Sequence, residues 1–221
     1  MSKYSVIILI IASDNTDYYI NMQKIWKLYM NTHPSIKSFF IKEKDTITNE
    51  LELDHDTIYT KCKPSLIPGI LIKTIKSIKY INDNYNFDYL FRTNLSSFID
   101  LNKLYDFIQN KQFNYGAVQG IHNGIKFGSG CGFFLSKEAS LYLLNQDINY
   151  NNGLYDDVEI GRVLSSYEFY NVNRIDFILF QEDLVDKIKK SNVFHFRCKN
   201  EFNMNVTIYN LVKMYELFYA I

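Results

Sequence analysis

The chain has 221 residues, 47% of them hydrophobic, with 24 acidic and 24 basic side chains that give a formal net charge of zero. This length allows a substantial core, and because no linker is visible, residues 1–221 are predicted to form one domain. The balanced charge argues against a polyanion partner such as nucleic acid.

The N-terminal half alternates between apolar strands and amphipathic helices. The apolar run 6–12 predicts a central strand, and the polar turn after it leads to a helix over 18–30 with Thr16 or Asp17 as its cap. Further along, the pattern predicts short strands at 36–41 and 57–62, a helix at 65–80 and a buried strand from Phe87.

The alternation continues in the C-terminal half. Helices are predicted at 101–110, 136–144, 158–167 and 206–219, and strands at 115–119, 171–178 and 193–199. Such an order predicts an α/β fold with a mixed, mainly parallel central sheet that is flanked by helices on both faces.

The cysteines and the apolar segments indicate the redox environment of the protein and whether it crosses a membrane. Cys62, Cys131 and Cys198 are scattered and odd in number, which fits neither a disulfide framework nor a zinc site. We therefore expect a reducing, cytoplasmic environment. The apolar run at 6–12 is too short to span a bilayer, so no transmembrane segment is predicted.

The strand that begins at Phe87 is interrupted by the polar turn Arg92-Thr93-Asn94-Leu95-Ser96-Ser97. Open α/β sheets build their ligand crevice at the carboxyl ends of strands. Arg92, Asn94 and Ser96 share one side of this turn and could hold a ribose or a diphosphate. The alternative is that Asn94 and Ser96 only satisfy backbone groups in an ordinary turn.

Two later segments contain residues suited to catalysis. The run Phe127–Phe133 has glycine at every second position, which allows a ligand or another backbone to approach closely, or forms a bulged strand. Asp156 and Asp157 stand at a predicted helix start, where the helix dipole favours carboxylates. Beside a sugar pocket, such a carboxylate can instead remove the proton from an attacking hydroxyl.

The last candidate segment is a basic strand. Residues 193–199 alternate, so His195, Arg197 and Lys199 share one face. Three basic groups on one face could neutralise a leaving diphosphate. The alternative is an ordinary solvent-exposed face with a structural histidine.

In this order, the segments resemble the GT-A class of nucleotide-sugar glycosyltransferases, in particular the β-1,3-galactosyltransferase and Fringe group. In that group a lysine-threonine strand end leads into a DxD motif, a GxGY-type strand precedes a short helix, and an EDV-type motif opens the next helix. The matching positions here are Arg92-Thr93 with Asn94-Leu95-Ser96, then Gly130-Cys131-Gly132-Phe133, then Asp156-Asp157-Val158.

The resemblance implies a GT-A-like fold and a hexosyltransferase that uses a nucleoside-diphosphate sugar, with UDP-sugars favoured, and a glycan or glycoprotein acceptor. It makes Asp157 the base of an inverting transfer, with Asp156 beside it. It also implies binding roles for further positions: Ser13 and Asp14 at the nucleotide, Arg92 to Ser96 at the diphosphate, Gly130 to Gly132 at the sugar or acceptor, and His195 where some members place a metal-binding histidine.

One departure from the family pattern concerns the metal. Asn94 and Ser96 replace the DxD carboxylates, so no metal ligand is assigned here, although Mn²⁺ or Mg²⁺ held by carboxylates elsewhere is an alternative. Without an ion, fixed donors must meet the diphosphate charge, and Arg92, Arg197 and Lys199 are candidates. A further alternative is a catalytically inactive relative that still binds a nucleotide sugar or a glycan.

Overall fold

The computed structural model describes residues 3–109 and 111–220, in which strands and helices alternate along the chain. The strands are β1 (Lys3–Ile11), β2 (Ile36–Glu43), β3 (Leu51–Asp54), β4 (Thr57–Thr60), β5 (Asn86–Asn94), β6 (Ser97–Ile99), β7 (Tyr115–His122), β8 (Ile125–Ser136), β9 (Phe169–Asn171), β10 (Ile175–Asp176) and β11 (His195–Arg197). The helices are α1 (Asp17–Tyr29), α2 (Gly69–Asn84), α3 (Leu101–Gln109), α4 (Lys137–Leu144), α5 (Asp156–Val163), α6 (Val185–Lys190) and α7 (Met204–Phe218).

The strands form an eight-stranded sheet and a three-stranded sheet. The order of the large sheet is β3-β4-β2-β1-β5-β8-β7-β9, and that of the small sheet is β10-β11-β6. Strand β1 is parallel to both β2 and β5, whereas β8 is antiparallel to β5 and β7. The predicted mixed α/β architecture is confirmed.

Strand β1 shows that helices cover both faces of the large sheet. Its side chains Val6, Ile8 and Ile10 pack in a core with residues of α1, α3 and α7, while Ile7 and Leu9 pack with residues of α2 and α4. Successive side chains of a strand point to opposite faces, so burial of both sets requires a layer on each side. The apolar run in the sequence reflects this double burial.

Side-chain hydrogen bonds cap two helices, one of them at the predicted Thr16. Thr16 Oγ1 accepts from the backbone N–H of Tyr19 at 3.3 Å, and Ser136 Oγ accepts from that of Ala139 at 3.0 Å. Asn110, the last residue of the helix predicted at 101–110, lies outside the described residues. None of the helices in the described ranges has the length and apolar character that crossing a membrane requires.

Some predicted boundaries are wrong. The strand predicted at 171–178 is two strands in different sheets, because the chain leaves the large sheet after Asn171 and pairs with β11 at Ile175. The helix predicted at 158–167 begins at Asp156 and ends at Val163. The sequence also gave no sign of β3, an exposed edge strand, or of α6, a helix of six residues.

The two sheets meet where β5 ends. The chain leaves the large sheet at Asn94 and enters the small one at Ser97, which pairs antiparallel with Arg197. The Ser96 carbonyl accepts from the backbone N–H of Cys198 at 2.9 Å, and the buried Trp26 Nε1 donates to the Leu95 carbonyl at 3.1 Å. These bonds bring the end of β11 to the carboxyl end of β5.

A buried amide on α7 fixes the loop that follows β10. Asn210 Oδ1 accepts from the backbone N–H of Phe180 at 2.8 Å, and its Nδ2 donates to the carbonyls of Ile178 at 3.0 Å and Cys198 at 2.9 Å. One side chain therefore satisfies three backbone groups in the interior.

We expect Asn210→Leu to lower the free energy of unfolding by on the order of 3 kcal/mol, since a side chain of similar size would leave buried backbone groups unpaired. Urea unfolding followed by circular dichroism measures the change. The matched control is Asn205→Leu, because Asn205 is an exposed residue of the same helix. An equal, small effect of both substitutions would contradict this role of Asn210.

Candidate active site

A cleft of about 810 Å³ opens at the carboxyl ends of β1 and β5, and we call it the main cleft. Its volume lies in the range typical of small-molecule sites. Five separate segments of the chain contribute predicted site residues to its lining: Ser13, Asn94, Ser96, Gly130, Asp157, Arg197 and Lys199.

A second cavity of about 380 Å³, the side pocket, adjoins the main cleft. Arg92, Asp156, His122 and Tyr155 contribute to its lining. Asp157 lines both cavities and therefore stands at the boundary between them.

Charged side chains from two elements converge on the backbone of Gly130. Its N–H donates to Asp157 Oδ2 at 2.7 Å, and its carbonyl accepts from Arg92 Nη1. The other terminal nitrogen of Arg92 donates to Asp156 Oδ2, and the backbone N–H of Val158 donates to Asp157 Oδ1 at 3.0 Å. Both oxygens of Asp157 are thus oriented by backbone donors. We call this set of contacts the Arg92 clasp.

Glycine at position 130 is required by the Arg92 clasp. A Cβ atom there would lie 2.8 Å from Asp157 Oδ2 and 2.9 Å from Arg92 Nη1. The sequence analysis expected glycine to leave room for a ligand or another backbone. At Gly130 that room is occupied by two charged side chains of the protein itself, Asp157 and Arg92. Alanine would push the carboxylate and the guanidinium away.

Arg92 and Asp156 are buried partners and do not line the main cleft. Their side chains are only 5% and 9% exposed, and they form an ion pair with each other. Burial raises the pKa of Asp156, and the Arg92 guanidinium opposes that rise. The predicted contact between Arg92 and a diphosphate in the main cleft is not supported, because the guanidinium is already engaged.

Three other predicted site residues also lie away from the main cleft. Thr93 is buried and its Oγ1 donates to the Cys131 carbonyl at 2.7 Å. Gly132 is buried, and a Cβ there would lie 2.7 Å from Phe91 Cζ. Asp14 is exposed and pairs with Lys42 at 2.7 Å. A hydrogen bond to the backbone, core packing and an ion pair with the buried Lys42 account for Thr93, Gly132 and Asp14, respectively.

His195 is buried beside Gly132, with its Nε2 3.2 Å from Ser97 Oγ. Burial lowers the pKa of His195 well below its usual value, and the charges of Arg174 and Arg197 lower it further. The imidazole is therefore neutral at neutral pH. Arg197 and Lys199, two and four residues further along, line the main cleft, whereas His195 does not.

The turn that would carry a DxD motif has little capacity for a divalent metal. Asn94 Oδ1 accepts from Ser96 Oγ at 3.0 Å and from Ser97 Oγ at 3.2 Å. Within residues 3–109 and 111–220, no group of three or more His, Cys, Asp or Glu side chains could hold a metal ion. Hard cations such as Mn²⁺ and Mg²⁺ prefer carboxylate oxygens as ligands, so the amide oxygen of Asn94 and the hydroxyl oxygen of Ser96 fit them poorly.

Sequence reasoning missed a buried ion pair in the main cleft. Lys73 is 4% exposed and Glu43 10% exposed, and Lys73 Nζ also donates to the Ala12 carbonyl at 3.0 Å. Burial lowers the pKa of Lys73, and the charge of Glu43 opposes this. A lysine within the isoleucine-rich stretch of α2 was the one available signal.

Arg174 was also missed. Its side chain is 8% exposed, and it pairs with Asp176 and donates to Ser129 Oγ at 3.2 Å. Because Ser129 lines the main cleft, Arg174 adds a positive charge just behind the cleft wall. It lies in an irregular segment with no motif, and we find no signal in the sequence that could have revealed it.

No protein-family model and no curated protein sequence matches the chain. Its structure is similar to that of the galactosyltransferase LgtC in complex with donor and acceptor sugar analogs, at 12% identity and a TM-score of 0.51 over 96% of this chain and 94% of that one. It is also similar to a glycosyltransferase involved in glycosylation of the major capsid of PBCV-1, at 9% identity and a TM-score of 0.56 over 95% and 99% of the two chains. These similarities show the fold, and the predicted GT-A-like architecture is confirmed.

The burial of neutral His195 predicts a pH-dependent stability. Because the pKa of this residue is lower in the folded chain than its usual 6.5, protons bind preferentially to the unfolded chain below that pH. The contribution of neutral His195 to the free energy of unfolding is therefore fully present above pH 6.5. Below that pH, the free energy of unfolding falls by up to about 1.4 kcal/mol per pH unit.

Urea unfolding at pH 7.5, 6.5 and 5.5, values chosen to bracket the histidine range, measures this effect. We expect His195→Gln to flatten the loss on the acid side, whereas His55→Gln, a control at a 94% exposed side chain, should not. Identical slopes for the wild type and His195→Gln would show that the imidazole is not held neutral.

Proposed function

We propose that the protein is a glycosyltransferase that moves a sugar from a nucleoside-diphosphate sugar to a hydroxyl group of a glycan or glycoprotein acceptor, with inversion at the anomeric carbon. The observation that supports this most strongly is the position of Asp157. Its carboxylate lies at the boundary of two adjoining cavities and is oriented by the backbone N–H of Gly130.

In the proposed reaction, Asp157 takes the proton of the acceptor hydroxyl as that oxygen attacks the anomeric carbon. The bond between the sugar and the diphosphate breaks, and its electron pair leaves with the diphosphate. One glycosidic bond replaces one glycosyl phosphate bond. The donor would lie in the main cleft and the acceptor in the side pocket, so that the two meet at Asp157.

The nucleoside would lie at the end of β1. Ser13, Asn15 and Tyr19 line this part of the main cleft and offer hydrogen-bonding groups and an aromatic ring. The side pocket contributes Tyr155 and His122, side chains suited to packing against and hydrogen bonding a sugar. A UDP-sugar donor and a hexose as the transferred group are the choices that the sequence resemblance favours.

The leaving diphosphate needs positive charge, and Arg197 and Lys199 are the proposed source. Both line the main cleft. Because the donors at Asn94 and Ser96 fit a divalent ion poorly, we assign this task to the fixed cations. Membership of the β-1,3-galactosyltransferase and Fringe group, with an altered DxD motif, is part of the same proposal.

A reducing, cytoplasmic setting is also part of the proposal. All three cysteines, Cys62, Cys131 and Cys198, are free thiols, as expected where disulfides do not form. We further propose that the chain acts as a single glycosyltransferase domain.

A catalytically inactive relative that binds a nucleotide sugar or glycan is the second candidate. The observation in its favour is the absence of carboxylates at Asn94 and Ser96, where the sequence resemblance places a DxD motif. The two candidates share a binding cleft and differ in turnover.

A substitution of the proposed base separates them. We expect Asp157→Asn to reduce turnover by about 10²-fold or more, within the range typical of a lost general base, while donor affinity changes little. Glycosyl transfer and donor binding are measured separately, by product chromatography and by calorimetry. Asp83→Asn is the control, because Asp83 pairs with Lys79 on the exposed surface of α2. Unchanged turnover in Asp157→Asn would exclude Asp157 as the base. If the wild type binds the donor but shows no turnover, the result would support the second candidate, the catalytically inactive relative.

A thermal-shift screen tests the ligand class. We expect one nucleoside-diphosphate sugar to raise the melting temperature selectively, because a ligand at 100 times its dissociation constant stabilises the folded state by about 2.7 kcal/mol. Running each ligand with and without Mn²⁺ tests the role of the metal. If all nucleotides raise the melting temperature equally, or if none of the ligands raises it, the result would contradict a nucleotide-sugar site.

A further inference from the structure

Two cations of the main cleft share one carboxylate. Arg197 Nη2 lies 3.0 Å from Glu201 Oε1, and Lys199 Nζ lies 2.7 Å from Glu201 Oε2. All three residues line the main cleft. Glu201 thus presents one oxygen to each cation, as the oxygens of a bound anion would.

The exposure of this group distinguishes it from the other ion pairs of the site. The side chains of Arg197, Lys199 and Glu201 are 29%, 36% and 56% exposed, whereas the Lys73–Glu43 pair is almost fully buried. Opening a buried pair leaves a charge without a partner in the interior, which is strongly unfavourable. An exposed pair contributes little to stability and can exchange partners easily.

The backbone around Glu201 is fixed, so that the exchange requires only a side-chain rotation. Asn200 Oδ1 accepts from the backbone N–H groups of Phe202 and Asn203, both at 2.9 Å, which holds the bend before α7. The hydrogen bond from Lys199 lowers the pKa of Glu201 below its ordinary value, so that the carboxylate favours its charged form beside this cation.

We infer that Glu201 is an internal competitor for the anionic group of the ligand and determines which charge class can bind. A ligand must carry two linked anionic groups, as a diphosphate does, to replace Glu201 at Arg197 and Lys199 together. An anion with a single phosphate group engages these cations less completely and displaces Glu201 poorly. The inference rests on the proposed function, because it assigns the diphosphate to this end of the cleft.

The test compares the wild type with Glu201→Gln, using inorganic diphosphate and inorganic phosphate as probes in calorimetry at low ionic strength. We expect the variant to bind diphosphate about 3- to 10-fold more tightly, as expected from removing a competitor held by two exposed ion pairs. The preference for diphosphate over phosphate should narrow at the same time.

Glu216→Gln is the matched control, because Glu216 pairs with Lys213 on α7 at 2.8 Å and does not line the main cleft. We expect this variant to bind both probes as the wild type does. A gain of the same size in Glu216→Gln would indicate a general loss of negative charge and would overturn the inference.

Arg197→Gln separates failure of this inference from failure of the proposed function. If Arg197→Gln weakens diphosphate binding but Glu201→Gln leaves it unchanged or weakens it, Glu201 does not compete, and the inference is overturned while the diphosphate site remains. If Arg197→Gln leaves diphosphate binding unchanged, the diphosphate lies elsewhere, and the inference and that part of the proposed function both fail.

Discussion

The Arg92 clasp holds the candidate active site together. Arg92 extends from β5, donates to the Gly130 carbonyl on β8 and pairs with Asp156 at the start of α5. The side chain is buried, and its Nε atom has no hydrogen-bond partner among the described residues, so the two terminal nitrogens make the polar contacts seen there. Removing one partner of such a pair typically costs about 3–5 kcal/mol, because the other charge is left buried and unpaired. The position of Asp157 depends on this clasp, since it follows Asp156 directly and binds the same glycine.

The two adjacent carboxylates therefore have different surroundings, although both begin the same helix. Asp156 points to a buried guanidinium and is 9% exposed. Asp157 lines both cavities and accepts hydrogen bonds from backbone N–H groups. Asp157 can therefore contact a ligand in the main cleft, whereas Asp156 does not line that cleft and its Oδ2 is engaged by Arg92. This division of roles underlies the choice of Asp157 as the proposed base.

Local signals in the sequence were sufficient for much of the fold and for part of the site. The doubly buried run of β1, the cap at Thr16 and the break between β5 and β6 each depend on neighbouring residues, although β5 continues through Arg92 to Asn94 before it breaks. The edge strand β3 has mainly exposed side chains and hence no hydrophobic pattern. The pairing of Arg92 with Asp156 joins residues 64 positions apart, and only the fold decides which of two adjacent aspartates an arginine meets. Arg174 and Glu201 escaped prediction for the same reason.

The charges around the site are balanced internally, in line with the formal net charge of zero. Each cation named at the two cavities has an acidic partner: Arg92 with Asp156, Lys73 with Glu43, Arg174 with Asp176, and Arg197 and Lys199 with Glu201. Such a site offers an approaching anion little long-range attraction, because opposite charges a few ångströms apart cancel at a distance. Recognition must then come from the exchange of partners at close range. Buried pairs resist that exchange, so the exposed group around Glu201 is where an anionic ligand can enter the charge network.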